Sequence, residues 1–227
     1  MKKLISFILL LLCTQWAFSQ GSVYFINRVC CGTPGTGQGP VGAPIYGPDP
    51  SDPALALYGN PDIGIPAGTQ VYGGQLLTGT GFTAQLWGVG GITTDESTLL
   101  PALNGATTSF RTGAAAGYTV ALAEGATIQN APAGTYATLQ MRVWDNQGGT
   151  ITTWEDALHA WELGQTAIGK SKLISPPFYL GGGTLLPVNL IGLESFNIYM
   201  VPEPSAVIIG TIGGVFLLWR RRWSQRV

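Results

Sequence analysis

Short alternating apolar runs, dense glycine and proline punctuation, and a single stretch of helical period predict a mainly β protein. The expected architecture is an antiparallel β-sandwich, of jelly-roll or immunoglobulin-like kind, carrying one short amphipathic helix. Glycine and proline supply 33 and 15 of the 227 residues, about a fifth. That share lies below the level at which composition signals disorder, and aromatic residues make up 10% of the chain. The two ends differ so sharply from the middle that they are set apart, leaving residues 20–200 as one domain with enough length to bury a core.

At the N-terminus, Lys2 and Lys3 precede an apolar run from Leu4 to Leu12, and Ala17-Phe18-Ser19 places small residues at −3 and −1. This is the pattern of a signal helix, a secretory signal peptide over residues 1–19 cleaved after Ser19.

Along the domain, Gly134 to Asp145 is the clearest strand. Ala137, Leu139, Met141 and Val143 alternate with Tyr136, Thr138, Gln140, Arg142 and Trp144. Phe82 to Trp87 alternates in the same way, and Val23–Val29, Tyr118–Leu122, Lys172–Ser175, Phe178–Leu180 and Ser195–Met200 are further candidates. Residues 32–66 are so rich in glycine and proline that a long irregular loop is expected. The helix is expected over Trp154–Leu163, with Thr152 and Glu155 as a capping box and Gly164 as the stop. Trp154, Ala157, Leu158 and Trp161 share its apolar face, and Glu155, His159 and Glu162 the polar one.

Residues 201–227 read as Val201-Pro202-Glu203-Pro204-Ser205, an uncharged run from Ala206 to Trp219, then Arg220-Arg221-Arg222. The two prolines forbid regular helix before the run. The run satisfies its own backbone in lipid only as a helix, and the arginines hold its far end in the cytoplasm. A transmembrane helix over residues 206–219 is therefore expected, with the domain outside the cytoplasm. Fourteen residues rise roughly 21 Å, against a hydrocarbon core of about 30 Å, which is short for a permanent anchor.

The proline-glutamate-proline motif, apolar run and arginine cluster, in that order, resemble the PEP-CTERM sorting domain. The resemblance implies a substrate of an exosortase-type processing enzyme in a Gram-negative bacterium. Pro202, Glu203 and Pro204 would be its recognition residues, and Arg220, Arg221 and Arg222 the stop-transfer cluster. It implies a protein held briefly in the inner membrane with its domain in the periplasm, then released to the surface or the extracellular matrix, often alongside exopolysaccharide. The middle is also similar to uncharacterised exported proteins with this tail, through Val143-Trp144-Asp145, Trp154-Glu155-Asp156-Ala157 and Gly169-Lys170-Ser171, a resemblance that brings no activity with it.

Charge narrows the partners. Between residues 20 and 200 stand five cations (Arg28, Arg111, Arg142, Lys170, Lys172) against eleven carboxylates from Asp49 to Glu194. An excess of six negative charges repels phosphate backbones, so nucleic acid is not an expected partner. Gly164 to Ser171 spells a phosphate-binding loop, but the helix precedes it and a strand follows, the reverse of the order that chemistry needs. Glu155, His159 and Glu162 lack a second cluster to complete a metal site, and Asp49 and Asp52 are a weak calcium pair. His159 is the single histidine, and no nucleophile elbow occurs. No cofactor, metal or catalytic residue is assigned. Trp87, Tyr136 and Trp144 are the candidates for stacking on sugar rings. The expected role is a surface or matrix protein that binds glycan or adheres. Two alternatives stay open: a secreted polysaccharide hydrolase with paired acids drawn from Asp145, Glu155, Asp156, Glu162 and Glu194, and a permanently anchored single-pass protein. Cys30 and Cys31 are the only cysteines beyond the signal segment, and their state is left open.

Overall fold

The computed structural model describes residues 19–32, 37–103, 107–122, 125–177 and 179–201. The signal segment before Ser19, Phe178, the motif Pro202-Glu203-Pro204, the expected span 206–219 and Arg220 to Arg222 lie outside them. Among the described residues no helix is long and apolar enough to cross a membrane.

Among the described residues, nine strands and one α-helix follow in order: β1 (Gln20–Val23), β2 (Arg28–Val29), β3 (Val41–Gly42), β4 (Phe82–Gly90), β5 (Leu100–Pro101), β6 (Thr107–Thr108), β7 (Ala126–Pro132), β8 (Ala137–Asp145), α1 (Trp154–Glu162) and β9 (Ile168–Lys170). Every pairing between two of these strands is antiparallel, and isolated bridges such as Val23↔Val188 add a few parallel contacts. The described residues are thus mainly strands in antiparallel sheets with one α-helix.

The backbone of the fold is the pair β4–β8, nine residues each, in unbroken register from Phe82↔Asp145 to Gly90↔Ala137. These are the two segments whose alternation is strongest in the sequence. Short β5 and β6 line the outer edge of β4, and β9 lines the outer edge of β8, giving a five-stranded sheet. Two-stranded sheets β1–β7 and β2–β3 complete the pairing.

One face of the large sheet presents Ala84, Leu86, Leu139, Met141 and Val143 to the main core. Phe25, Ile45, Ile128, Leu180, Phe196 and Ile198 fill it from the other side. Gly88 on this face has a steric reason to be glycine: a Cβ there would meet Leu139 Cδ2 at 2.7 Å and Ile128 Cγ2 at 3.1 Å, where β7 crosses β4. The opposite face is also covered. Trp87, Trp144 and Ile168 pack with Leu99 and with Trp154 and Ala157 of α1 in a second cluster. Period-two alternation of apolar and polar residues ordinarily marks a sheet with one wet face. Here both faces of β8 are dry, because a helix and a short turn lie over the polar side.

Several expectations change. Residues 32–66 are not all loop: β3 lies within them, and Val41, Ala43 and Ile45 are fully buried in the main core. Their apolar side chains alternate inward although glycine and proline surround them. Val23–Val29 is not one strand: it holds the last residue of β1, then residues 24–27 outside any strand, then β2. Tyr118–Leu122 and Lys172–Ser175 each pair through one isolated bridge (Phe110↔Thr119, Leu139↔Ile174), and Ser195–Met200 through three (Tyr58↔Phe196, Tyr46↔Asn197, Ile168↔Tyr199), rather than as strands. The helix cap sits one residue later than expected. Thr153 Oγ accepts from Asp156 N at 3.1 Å and donates to Asp156 Oδ2 at 2.7 Å. That register puts Trp154 and Ala157 on the buried side of α1.

Candidate functional site

The covered polar face of the large sheet holds a buried cation. Arg142, in the middle of β8, is only 7% exposed. Its guanidinium lies 3.8 Å from the centre of the Trp87 ring and 5.1 Å from that of Trp154, between a strand and the helix above it. Its Nε donates to Gln140 Oε1 at 2.9 Å, and one terminal nitrogen stands 3.5 Å from Glu96 Oε1. Lys170 of β9 donates to the same Glu96 oxygen at 2.6 Å. Two cations from neighbouring strands therefore share one carboxylate.

Glu96 is delivered by a 3₁₀ turn, Glu96–Thr98, whose cap Asp95 accepts from Ser97 N and Ser97 Oγ at 3.0 and 2.7 Å. Those two bonds hold the Asp95 carboxyl below its ordinary range. Burial pushes the Glu96 carboxyl up, but Lys170, Gln140 and Arg142 together outweigh it and hold it down. Burial lowers Arg142, opposed by the charges of Glu96 and Glu155. An arginine loses its proton at no pH relevant here, so it remains a cation enclosed by indole faces.

Beside this network opens a cavity of about 130 Å³. Trp154, Leu158 and Trp161 of α1 form one wall, Ile168, Gly169 and Lys170 of β9 the other, and Tyr199 closes it. Trp161 Nε1 donates to the Tyr199 carbonyl at 3.0 Å, and the two rings meet edge to face at 5.8 Å. Burial raises the Tyr199 hydroxyl. A whole small-molecule site usually encloses about 300 Å³ or more. This groove therefore has room for an edge or face of a larger ligand, gripped by aromatic carbon with the Lys170 stem alongside.

The three residues singled out for stacking do not form one strip. Trp87 (8% exposed) and Trp144 (0%) share the covered face, where register sets Thr83 opposite Trp144 and Trp87 opposite Gln140. Trp144 packs edge to face on Trp154 at 6.1 Å and donates to the Ile151 carbonyl, so it has no free ring face. Tyr136 (39% exposed) lies at the far end of the sheet against Tyr179, centroids 4.6 Å apart. Trp154, Trp161, Tyr199 and Glu96 were missed as a group. The helical spacing of Trp154 and Trp161 was the available signal, but it could only be read as core.

The other motifs fall into structural roles. Ile168, Gly169 and Lys170 of the loop-like 164–171 segment are strand β9, and the amides of Gly164, Gln165, Ile168 and Ser171 are all bonded to backbone carbonyls. No phosphate cradle is left in those groups. Glu155, His159 and Glu162 are exposed on α1, and among the described residues no group of three or more His, Cys, Asp or Glu is placed to hold a metal. Asp49 and Asp52 cap local turns through Ser51 and Ala54. Among the acids considered for hydrolysis, Asp145 accepts from Gln147 N and Glu194 pairs with Lys172 at 2.9 Å. Cys30 and Cys31 are exposed thiols with sulfurs 3.1 Å apart, and the bond from Cys31 to Cys30 raises the Cys31 thiol. No protein-family model, curated protein or solved structure matches this chain.

Proposed function

We propose that the chain is an exported surface or extracellular-matrix protein, tethered for a time by the tail over residues 201–227 and processed there by an exosortase-type enzyme. Its domain is a β-sandwich whose second layer is the β1–β7 sheet with the irregular segments packed beside it. That layer and the five-stranded sheet share one main core, which supports the sandwich reading. Its ligand is glycan, taken in the groove walled by Trp154, Trp161 and Tyr199 rather than by the strip expected from the sequence.

The observation that carries the reading is the junction at Val201. The domain's backbone pairings run through Tyr199 and Met200, and the motif Pro202-Glu203-Pro204 follows at once. The last described residue of the folded body, Val201, thus directly precedes the motif, which is where a sorting signal would stand, and this supports the reading. Aromatic walls suit the apolar faces of sugar rings, which supports the ligand class. A hydrolase would gain support from a half-buried acid with a raised pKa, and Glu96 is held in the opposite direction.

The test is expression of the full chain in hosts with and without an exosortase, followed by fractionation and intact mass. Loss of residues beyond the motif in the competent host alone is the expected result. Identical full-length protein in both hosts would refute processing. A glycan array probed with wild type and Trp161→Ala tests the ligand: binding that the variant retains in full removes the groove from the proposal.

A further inference from the structure

The groove and the exit of the tail are the same place on the molecule. Tyr199 N donates to Ile168 O at 2.8 Å, Ile168 N returns a bond to Tyr199 O at 3.1 Å, and Met200 N donates to Pro53 O at 2.7 Å. Val201 then passes Gly164 just beyond α1, where a Cβ would stand 3.7 Å from Val201 Cγ1. The chain is therefore held to the domain up to that point.

Only Pro202, Glu203, Pro204 and Ser205 separate Val201 from the uncharged run that opens at Ala206. Five residue steps span at most about 17 Å when fully extended. The headgroup layer itself takes up about 5–8 Å on each side of the bilayer. A domain of roughly 180 residues is about 40 Å across. The body cannot stand clear of the membrane by even half its own width.

What surrounds the exit is apolar. Leu163, directly after α1, is 59% exposed, and Leu158 on the helix is exposed as well. Leu55, whose carbonyl accepts from Asn197 Nδ2, is a third exposed leucine beside the same segment. Trp161 and Tyr199, both partly exposed, stand among them, and such rings settle where hydrocarbon meets headgroups. Glu155, Asp156 and Glu162 rim the patch, and the charge of Lys170 beside the groove is already paired with Glu96. That rim repels anionic lipid, so the surface it fits is a zwitterionic one.

We propose that Leu55, Leu158, Trp161, Leu163 and Tyr199 rest in the headgroup region of a zwitterionic bilayer while the tail is inserted, so that the tethered protein has its groove covered. Release of the tail uncovers it. The proposal rests on the reading of Ala206–Trp219 as a membrane span and adds a second contact, made by the domain itself.

The test uses the full chain with Cys13, Cys30 and Cys31 changed to Ser and a single bimane-labelled cysteine introduced by Leu163→Cys or Ile92→Cys. Ile92 follows β4 at the opposite end of the sheet and is itself exposed. Each protein is reconstituted in phosphatidylcholine vesicles that contain a headgroup nitroxide lipid. The expected result is flotation of both, with quenching at position 163 about threefold stronger than at position 92, a domain's length away. Flotation with equal quenching overturns the docking and leaves the tail reading intact. Failure of both to float overturns the tail reading and the docking with it. Stronger quenching at 163 on phosphatidylglycerol vesicles overturns the zwitterionic assignment.

Discussion

The enclosed arginine offers the sharpest quantitative test, through a double-mutant cycle of Trp87→Leu and Arg142→Met. Methionine keeps most of the stem volume and removes the charge. At 3.8 Å from the Trp87 ring centre and 7% exposure, the cation–π contact belongs to the desolvated class, worth about 2 kcal/mol. The more distant Trp154 ring adds less. The Nε bond to Gln140 is charge-assisted, about 1.5–3 kcal/mol. The contact with Glu96 adds at most about 1 kcal/mol, since that side chain is 38% exposed and solvent screens it. Against these stands the cost of burying a charge, which methionine avoids. Arg142→Met should therefore lower stability by about 2–3 kcal/mol, or Tm by roughly 5–10 °C for a domain of this size. The coupling between the two substitutions should be about 1–2 kcal/mol. Urea denaturation followed by far-ultraviolet circular dichroism gives all four corners of the cycle. A coupling within about 0.5 kcal/mol of zero would show that the indole and the guanidinium are neighbours without being partners, and the account of the covered face would fail.

Three further outcomes are expected. Because Glu96 is held below its ordinary range in the folded protein, the stabilisation it brings is fully present above the unfolded carboxylate pKa, about 4.3, and is lost as pH falls from there through the lowered folded-state pKa. Thermal unfolding between pH 7 and pH 3 should accordingly show a shallower acid decline for Glu96→Gln than for wild type. Gly169→Ala should destabilise by about 1–3 kcal/mol, because its Cβ would meet Asn197 O at 2.5 Å and Ile198 Cα at 3.0 Å, both backbone. Gly81→Ala, with nothing within 4 Å, is the control and should stay within about 0.5 kcal/mol in the same denaturation assay. Asn27→Ala should cost at least about 3 kcal/mol by chemical denaturation, since Asn27 donates to the Ala43 and Gly117 carbonyls and accepts from Thr119 N and Oγ in a fully buried site.

The two long strands and the helix were legible because each carries its own period: two in Phe82–Gly90 and Ala137–Asp145, and near 3.6 in Trp154–Glu162. The bridge-paired segments were less legible. Residues 195–200 pair with Tyr46, Tyr58 and Ile168, so no single stretch of sequence contains the reason for their shape. Strand β7 carries Asn130 and Pro132, residues that usually mark turns, and it holds its place through pairing with β1. The covered face was hidden for a related reason. Thr138, Gln140 and Arg142 look like a wet edge until Glu96 and α1 arrive from other parts of the chain. Lys170 was visible only as a letter in a phosphate-loop pattern, and its partner lies 74 residues away.

Strand β1 has partners only far along the chain. Gln20 pairs opposite Pro132 and Ser22 bridges Gly181, while Asn27 waits for Gly117 and Thr119. A chain read out from its N-terminus thus emerges with β1 single for about half of its 227 residues. Closure of such distant pairs makes folding slow, and an unpaired edge invites other chains meanwhile. The pairing of β1 therefore waits for residues 126–132, and its bridge to Gly181 for a later stretch still.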